Sequence, residues 1–116
     1  MRSDSLESLK ERINAFAEAR DWNQFHDPKN LAMALASEVG ELCAIFRWVN
    51  QADSDVFAMA HSELIRDEIG DIGILLLSFC DRLKIDIEKA IDRKLNMNAL
   101  KYPIESSIGR AEPPTQ

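Results

Sequence analysis

The chain of 116 residues has little of what interrupts helices. Glycine and proline occur four times each, and aromatic residues make up 7% of the sequence. Because the apolar residues are mostly Leu, Ile and Ala, helix is the favoured regular structure. The length suits one domain, which we place at residues 1–105, and the polar residues 106–116 are expected to form a disordered tail.

Cysteine and long apolar runs are also scarce. The two cysteines, Cys43 and Cys80, lie in apolar helical stretches, which is typical of buried, reduced thiols rather than of a disulfide framework. The N-terminus has no apolar signal core. The densest apolar run, Ile69–Cys80, is interrupted by Asp71 and is too short to span a bilayer. We therefore expect a cytoplasmic protein that does not bind membranes.

Positive charge is in deficit, because the chain has 14 Lys and Arg but 20 Asp and Glu. Its net charge is −6. An acidic chain is a poor electrostatic match for a nucleic-acid backbone, so no nucleic-acid partner is expected. A small polyanion would bind such a chain if metal ions supplied the positive charge.

Hydrophobic periodicity predicts an all-α bundle of about four helices. Asp4 is the expected cap of the first helix, because Asp4 and Glu7 have capping-box spacing. Asp27-Pro28 predicts the start of the second helix. The predicted helices span residues 5–20, 28–49, 55–83 and 86–101. The short connection between the second and third predicts that they pack antiparallel.

Four acidic residues interrupt the apolar seams of these two helices. Glu38 occupies a core position of the seam in the second helix and Glu41 lies one turn further on, while Glu68 and Asp71 interrupt a seam of the third. Carboxylates that face each other repel unless a cation holds them, and Mg²⁺ prefers oxygen ligands. The pattern therefore favours a Mg²⁺ site. The alternative is that these acidic pairs lie on solvated faces.

Two other kinds of helical-bundle chemistry depend on histidine. Di-iron sites need Glu-x-x-His on two helices, and neither His26 nor His61 follows a Glu by three residues. A phosphotransfer bundle would use His61 as the phospho-acceptor. We interpret His61 as a surface residue.

Longer motifs resemble those of a known family. The segments EVGE at residues 38–41 and DEIGD at residues 67–71 resemble the E-x-x-E…E-x-x-D signature of the MazG-like superfamily of all-α nucleoside triphosphate pyrophosphohydrolases. The segments RDWNQFHDPKNLAMAL, EVGELCAIFRW and NALKYP are similar to elements of its dCTP pyrophosphatase branch. The resemblance runs in the same order over about residues 6–103.

The resemblance implies Mg²⁺-dependent hydrolysis of a nucleoside triphosphate, dCTP or a modified dCTP, to the monophosphate and pyrophosphate. This activity would remove unwanted nucleotides, and the protein would be a homodimer or homotetramer. Glu38, Glu41, Glu68 and Asp71 would hold the metal, with Glu38 and Glu41 as catalytic residues. A non-catalytic helical module that senses nucleotides or binds proteins is the alternative, and it would release no pyrophosphate.

Eight further residues are candidates for substrate binding, each with a structural alternative. Aromatic rings stack on a nucleobase, amide and imidazole groups bind its polar edges, and lysines bind phosphates. The alternatives are core packing for the aromatic residues and helix capping for the polar ones. The candidates are Trp22, His26, Asn30, Trp48, Lys94, Asn98, Lys101 and Tyr102.

Overall fold

The computed structural model describes residues 5–110 and 112, which form helices and no strand. The all-α prediction is confirmed. Its α-helices are α1 (Leu6–Ala19), α2 (Pro28–Phe46), α3 (Ser54–Ala60), α4 (Ser62–Arg82), α5 (Ile87–Lys101) and α6 (Ile104–Ser107). Single 3-10 turns at Asn23–Phe25 and Gln51–Asp53 lie in the connections that precede α2 and α3.

Side-chain caps set where the main helices begin. Asp27 accepts a hydrogen bond from the backbone N–H of Asn30 at 2.9 Å, and Pro28 follows it, as the sequence predicts. The predicted cap of α1, Asp4, lies outside the described residues. The prediction is wrong, because Ser5 is the N-cap and its hydroxyl accepts the N–H of Ser8 at 3.1 Å.

Two predicted helices differ from the observed ones. The second ends at Phe46 rather than at residue 49. The third, predicted to be continuous over 55–83, is divided at His61 into α3 and α4. The backbone of His61 has φ −115° and ψ 28°, which is outside the α-helical range.

The described residues form two compact units, one ending at Lys84 and one beginning at Ile85. In the first, α4 packs on both α2 and α1. Phe79, late in α4, shares a cavity with Ala32 and Ala36, early in α2, whereas Glu68, early in α4, meets Glu41, late in α2. The two helices are therefore antiparallel, and their acidic residues meet midway along the pair.

The first unit has a small core. Its buried apolar residues are Ala17, Leu31 and Cys80, and Leu31 in the first turn of α2 is 2% exposed. Cys80 is buried as predicted, but Cys43 is exposed, so the prediction for Cys43 is wrong. Cys43 lies between Leu42 and Ala44, off the seam of α2 that faces α4.

The second unit contains α5 and α6. Asp86 caps α5 by accepting the backbone N–H of Lys89 at 3.0 Å. The predicted tail at 106–116 begins inside α6, and its residues 111 and 113–116 lie outside the described part of the chain. The tail and the single domain at 1–105 stay predictions. In the described residues, no helix is both long and apolar enough to cross a membrane.

Candidate metal centre

Three of the four predicted carboxylates meet between α2 and α4. Glu38, Glu41 and Glu68 each place one oxygen so that the three atoms lie within 4.8 Å of one another. Glu38 and Glu68 are half-buried, and Glu41 is exposed. Glu38 and Glu41 are three residues apart, so they share a side of α2, and the antiparallel α4 brings Glu68 to them. The sequence predicted this meeting.

The cluster has more acceptors than donors. Oε2 of Glu38 and Oε2 of Glu68 are buried and have no hydrogen-bond donor among the described residues. Such an oxygen needs either a proton or a cation, because a buried charge without a partner is strongly disfavoured.

The carboxyl of Glu68 is where a proton would reside in the metal-free protein. Its pKa is raised from 4.5 to about 7, first by the hydrogen bond that the protonated group makes to Glu38 and then by burial. Glu41 raises the pKa further, through a hydrogen bond and through its charge. A cation bound here would compete with this proton, because a carboxylate must be deprotonated to bind a metal.

Asp71 does not belong to this group of three, although it lies one turn beyond Glu68 on α4. It is exposed. Its role as a fourth ligand stays a prediction.

Comparison with known proteins identifies the family. A MazG-like family profile matches residues 33–112, which is more than half of the chain and contains all four acidic residues. The chain belongs to the MazG-like family. The resemblance seen in the sequence is thereby confirmed.

Similar proteins extend the comparison. The chain is 36% identical over 109 residues to dCTP pyrophosphatase 1 of Rattus norvegicus, covering 92% of this chain and 64% of that protein. The chain is 34% identical over 101 residues to dCTP pyrophosphatase 1 of Homo sapiens, and the match covers 85% of this chain and 59% of that protein. The chain therefore spans less than two thirds of these relatives. The crystal structure of a pyrophosphatase from Archaeoglobus fulgidus superimposes with a TM-score of 0.82 at 34% identity, covering 89% of this chain and 96% of the other.

Two substrate-binding candidates of this MazG-like chain lie in the wall of a groove. The groove, of about 650 Å³, runs between α1 and α4, and Trp22 and His26 contribute to its lining. Trp22 is 44% exposed and meets Phe16 edge-on at 5.6 Å. His26 also lines a second, more polar cavity with Asp81 and Arg82.

Asn30 and Trp48 have different surroundings. The side-chain amide of Asn30 donates to the carbonyl of Phe25 at 3.1 Å, which ties the 3-10 turn to the start of α2. Trp48 is 86% exposed, just beyond the end of α2, and the guanidinium of Arg47 lies 5.5 Å from its ring centre. An indole so open to solvent is free to stack on another flat group.

The remaining four candidates belong to the second unit. Lys94, Asn98 and Lys101 lie on α5, and Tyr102 is its C-cap. The ammonium of Lys101 lies 5.4 Å from the centre of the Tyr102 ring. Asn98 and Tyr102 are half-buried, and the two lysines are exposed. Their roles in substrate binding stay predictions.

Sequence reasoning did not foresee the groove. Its wall combines residues such as Ile13, Ile69 and Leu75, which have the pattern of ordinary core positions. Gly70 and Gly73 also line it, and a methyl group added at either would meet nothing within 4 Å. Gly70 and Gly73 therefore border open space in this groove and do not mark a close approach between helices.

Proposed function

We propose that this chain is a Mg²⁺-dependent nucleoside triphosphate pyrophosphohydrolase that acts on dCTP or a modified dCTP. The main support is the cluster of Glu38, Glu41 and Glu68 in a chain of the MazG-like family. Two buried oxygens of this cluster have no hydrogen-bond donor among the described residues. The names of the relatives, dCTP pyrophosphatase 1 and pyrophosphatase, support the reaction and the substrate. The products are the monophosphate and pyrophosphate.

The residues present fit Mg²⁺. All three side chains of the cluster offer carboxylate oxygens, which are the ligands this ion prefers, and two of those oxygens have no other partner among the described residues. Glu38, Glu41 and Glu68 would hold the ion, and Asp71 completes the proposed set from the next turn of α4. The chemistry that Mg²⁺ supplies when bound is neutralisation of phosphate charge and acidification of water.

The glutamates themselves supply the acid–base chemistry. Glu38 or Glu41 orients the attacking water and accepts its proton while the water oxygen bonds to phosphorus. The phosphoanhydride bond between the α- and β-phosphoryl groups breaks, and pyrophosphate leaves. Because the carboxylates sit on two helices packed against each other, their positions are fixed before substrate arrives.

Substrate recognition is assigned to the eight remaining candidates. Trp22 and Trp48 stack on the base, and the polar side chains of His26 and Asn30 bind its edges or the sugar. Lys94 and Lys101 bind phosphates by charge-assisted hydrogen bonds, with Asn98 and Tyr102 as further polar contacts. Removal of unwanted nucleotides from the cellular pool is the proposed role.

The exposed apolar surface supports a homodimer or homotetramer. Trp48 is 86% exposed, Leu100 is 84% exposed and Met59 is 79% exposed. Large apolar side chains this open to water favour burial against another subunit. Sedimentation equilibrium tests this, and a purely monomeric protein at micromolar concentration would refute it.

The deciding experiment is pyrophosphate release from each of the common nucleoside triphosphates and 5-methyl-dCTP, with and without Mg²⁺. We expect release with Mg²⁺ and the fastest turnover with dCTP or its modified form. A protein that binds nucleotides but releases no pyrophosphate from any of them would be the non-catalytic sensing module instead. The Glu38→Gln variant controls for a contaminating hydrolase, since it should be inactive.

A further inference from the structure

His61 interrupts what would otherwise be one long helix. Residues 54–69 contain no glycine or proline, the residues that most often break helices. Helices also bend where a side chain enters the ladder of backbone hydrogen bonds. At His61 the side chain contacts a carbonyl of this ladder, while the backbone N–H of His61 still donates to the same carbonyl.

The imidazole of His61 is tied to the turn before it. Its Nδ1 lies 2.9 Å from the carbonyl oxygen of Phe57, which also accepts the backbone N–H of His61 at 3.1 Å. The imidazole stacks on the Phe57 ring, with centroids 4.1 Å apart and planes inclined by 22°. A side chain that shares a carbonyl with the backbone in this way bends a helix. The hydrogen bond and the stack both tie the His61 side chain to Phe57 of α3.

The stack continues to α2. The Phe57 ring lies 5.7 Å from the ring of Phe46, the last residue of α2. Glu41 precedes Phe46 by five residues, and Glu68 follows His61 by seven, which is about two helical turns. The three rings connect the end of α2 to the start of α4 close to the carboxylates.

We infer that His61 is a positioning residue for the acidic cluster. Its bond to the Phe57 carbonyl breaks the helix, and the break allows Phe57 to pack on Phe46 while α4 brings Glu68 to Glu38 and Glu41. The effect on metal binding rests on the proposed function, whereas the origin of the break does not.

Two variants of His61 separate the hydrogen bond from the stack. His61→Phe keeps an aromatic ring on Phe57 but has no donor for the carbonyl. His61→Asn loses the ring but keeps a side-chain donor at a similar distance from the backbone. The conformation of residues 59–63 is read from their ¹³Cα chemical shifts. We expect helical shifts throughout in His61→Phe and a persistent break in His61→Asn.

Mg²⁺ affinity, measured by calorimetry well below the unfolding temperature, reports the positioning role. We expect affinity to fall about tenfold in His61→Phe and to stay within about twofold of the parent in His61→Asn. Val56→Leu, at a residue of α3 that is 74% exposed and lies outside residues 59–63, is the control and should change neither measurement.

Three results would overturn the inference. If His61→Phe keeps non-helical shifts at residue 61, the break does not depend on the hydrogen bond. If the break disappears in His61→Phe without any change in Mg²⁺ affinity, His61 has only a local role. If the parent protein itself does not bind Mg²⁺, the proposed function fails together with the effect on affinity, while the chemical shifts still decide the origin of the break.

Discussion

Binding of Mg²⁺ to the metal-free protein should release a proton from Glu68. The pKa of Glu68 is raised to about 7 by Glu38, by burial and by Glu41, so this carboxyl is protonated in neutral or mildly acidic solution. A metal ligand must be deprotonated. With that pKa, release amounts to about one proton per bound ion at pH 6, about half at pH 7 and about a tenth at pH 8.

Calorimetry measures this number directly. Mg²⁺ is titrated at each pH into protein held in two buffers that differ in ionisation enthalpy, and the difference in apparent enthalpy gives the protons released. By linkage, the affinity for Mg²⁺ should also fall about tenfold per pH unit below pH 7. Glu63→Gln, an exposed glutamate of α4 outside the cluster, is the matched control and should preserve the release.

Glu68→Gln is the decisive variant. It keeps the shape of the side chain but has no proton to lose, so release should be near zero at every pH. If the parent protein binds Mg²⁺ at pH 6 without releasing a proton, Glu68 is not protonated in the metal-free protein or is not a ligand. Either result would refute the reasoning that places Mg²⁺ on this carboxyl.

The remaining predictions concern stability and turnover. In the metal-free protein, the raised pKa of Glu68 means that the folded state binds more protons than the unfolded state between pH 4.5 and about 7. The urea midpoint should therefore fall as pH rises through that window, and Glu68→Gln should remove the decline. Leu31→Ala should lower the free energy of unfolding by about 2–5 kcal/mol, because Leu31 is 2% exposed; a loss below 1 kcal/mol in urea unfolding would contradict this. Lys84→Gly should raise the free energy of unfolding by about 1 kcal/mol, because Lys84 has φ 59° just past the end of α4; an unchanged melting temperature would refute it. Glu38→Gln should abolish pyrophosphate release while circular dichroism stays unchanged, and substantial turnover would exclude Glu38 as a required group.

The parts of the fold that were predictable have local causes. The start of α2 follows from Asp27 and Pro28, because a cap and a proline act within one turn. The meeting of Glu38 with Glu68 was also predictable, since carboxylates in two apolar seams are brought together when those seams pack. These features depend on periodicity and on neighbours in sequence.

Other features depend on contacts that sequence periodicity does not contain. The division at His61 falls in a segment whose composition favours a continuous helix, at a residue whose imidazole contacts a carbonyl four residues earlier. Asp71 has the same spacing from Glu68 as Glu41 has from Glu38, yet it is outside the group of three. Spacing along one helix fixes a side but not the distance to the partner helix.

The two thiols differ in exposure, so their rates of chemical modification report unfolding at two single residues. Cys43 is exposed on α2, and Cys80 is 7% exposed on α4. A small thiol reagent should modify Cys43 at once and Cys80 at the rate at which α4 separates from its neighbours. The delay between the two reactions therefore measures the rate at which α4, the helix that carries Glu68, opens. Added Mg²⁺ should lengthen this delay.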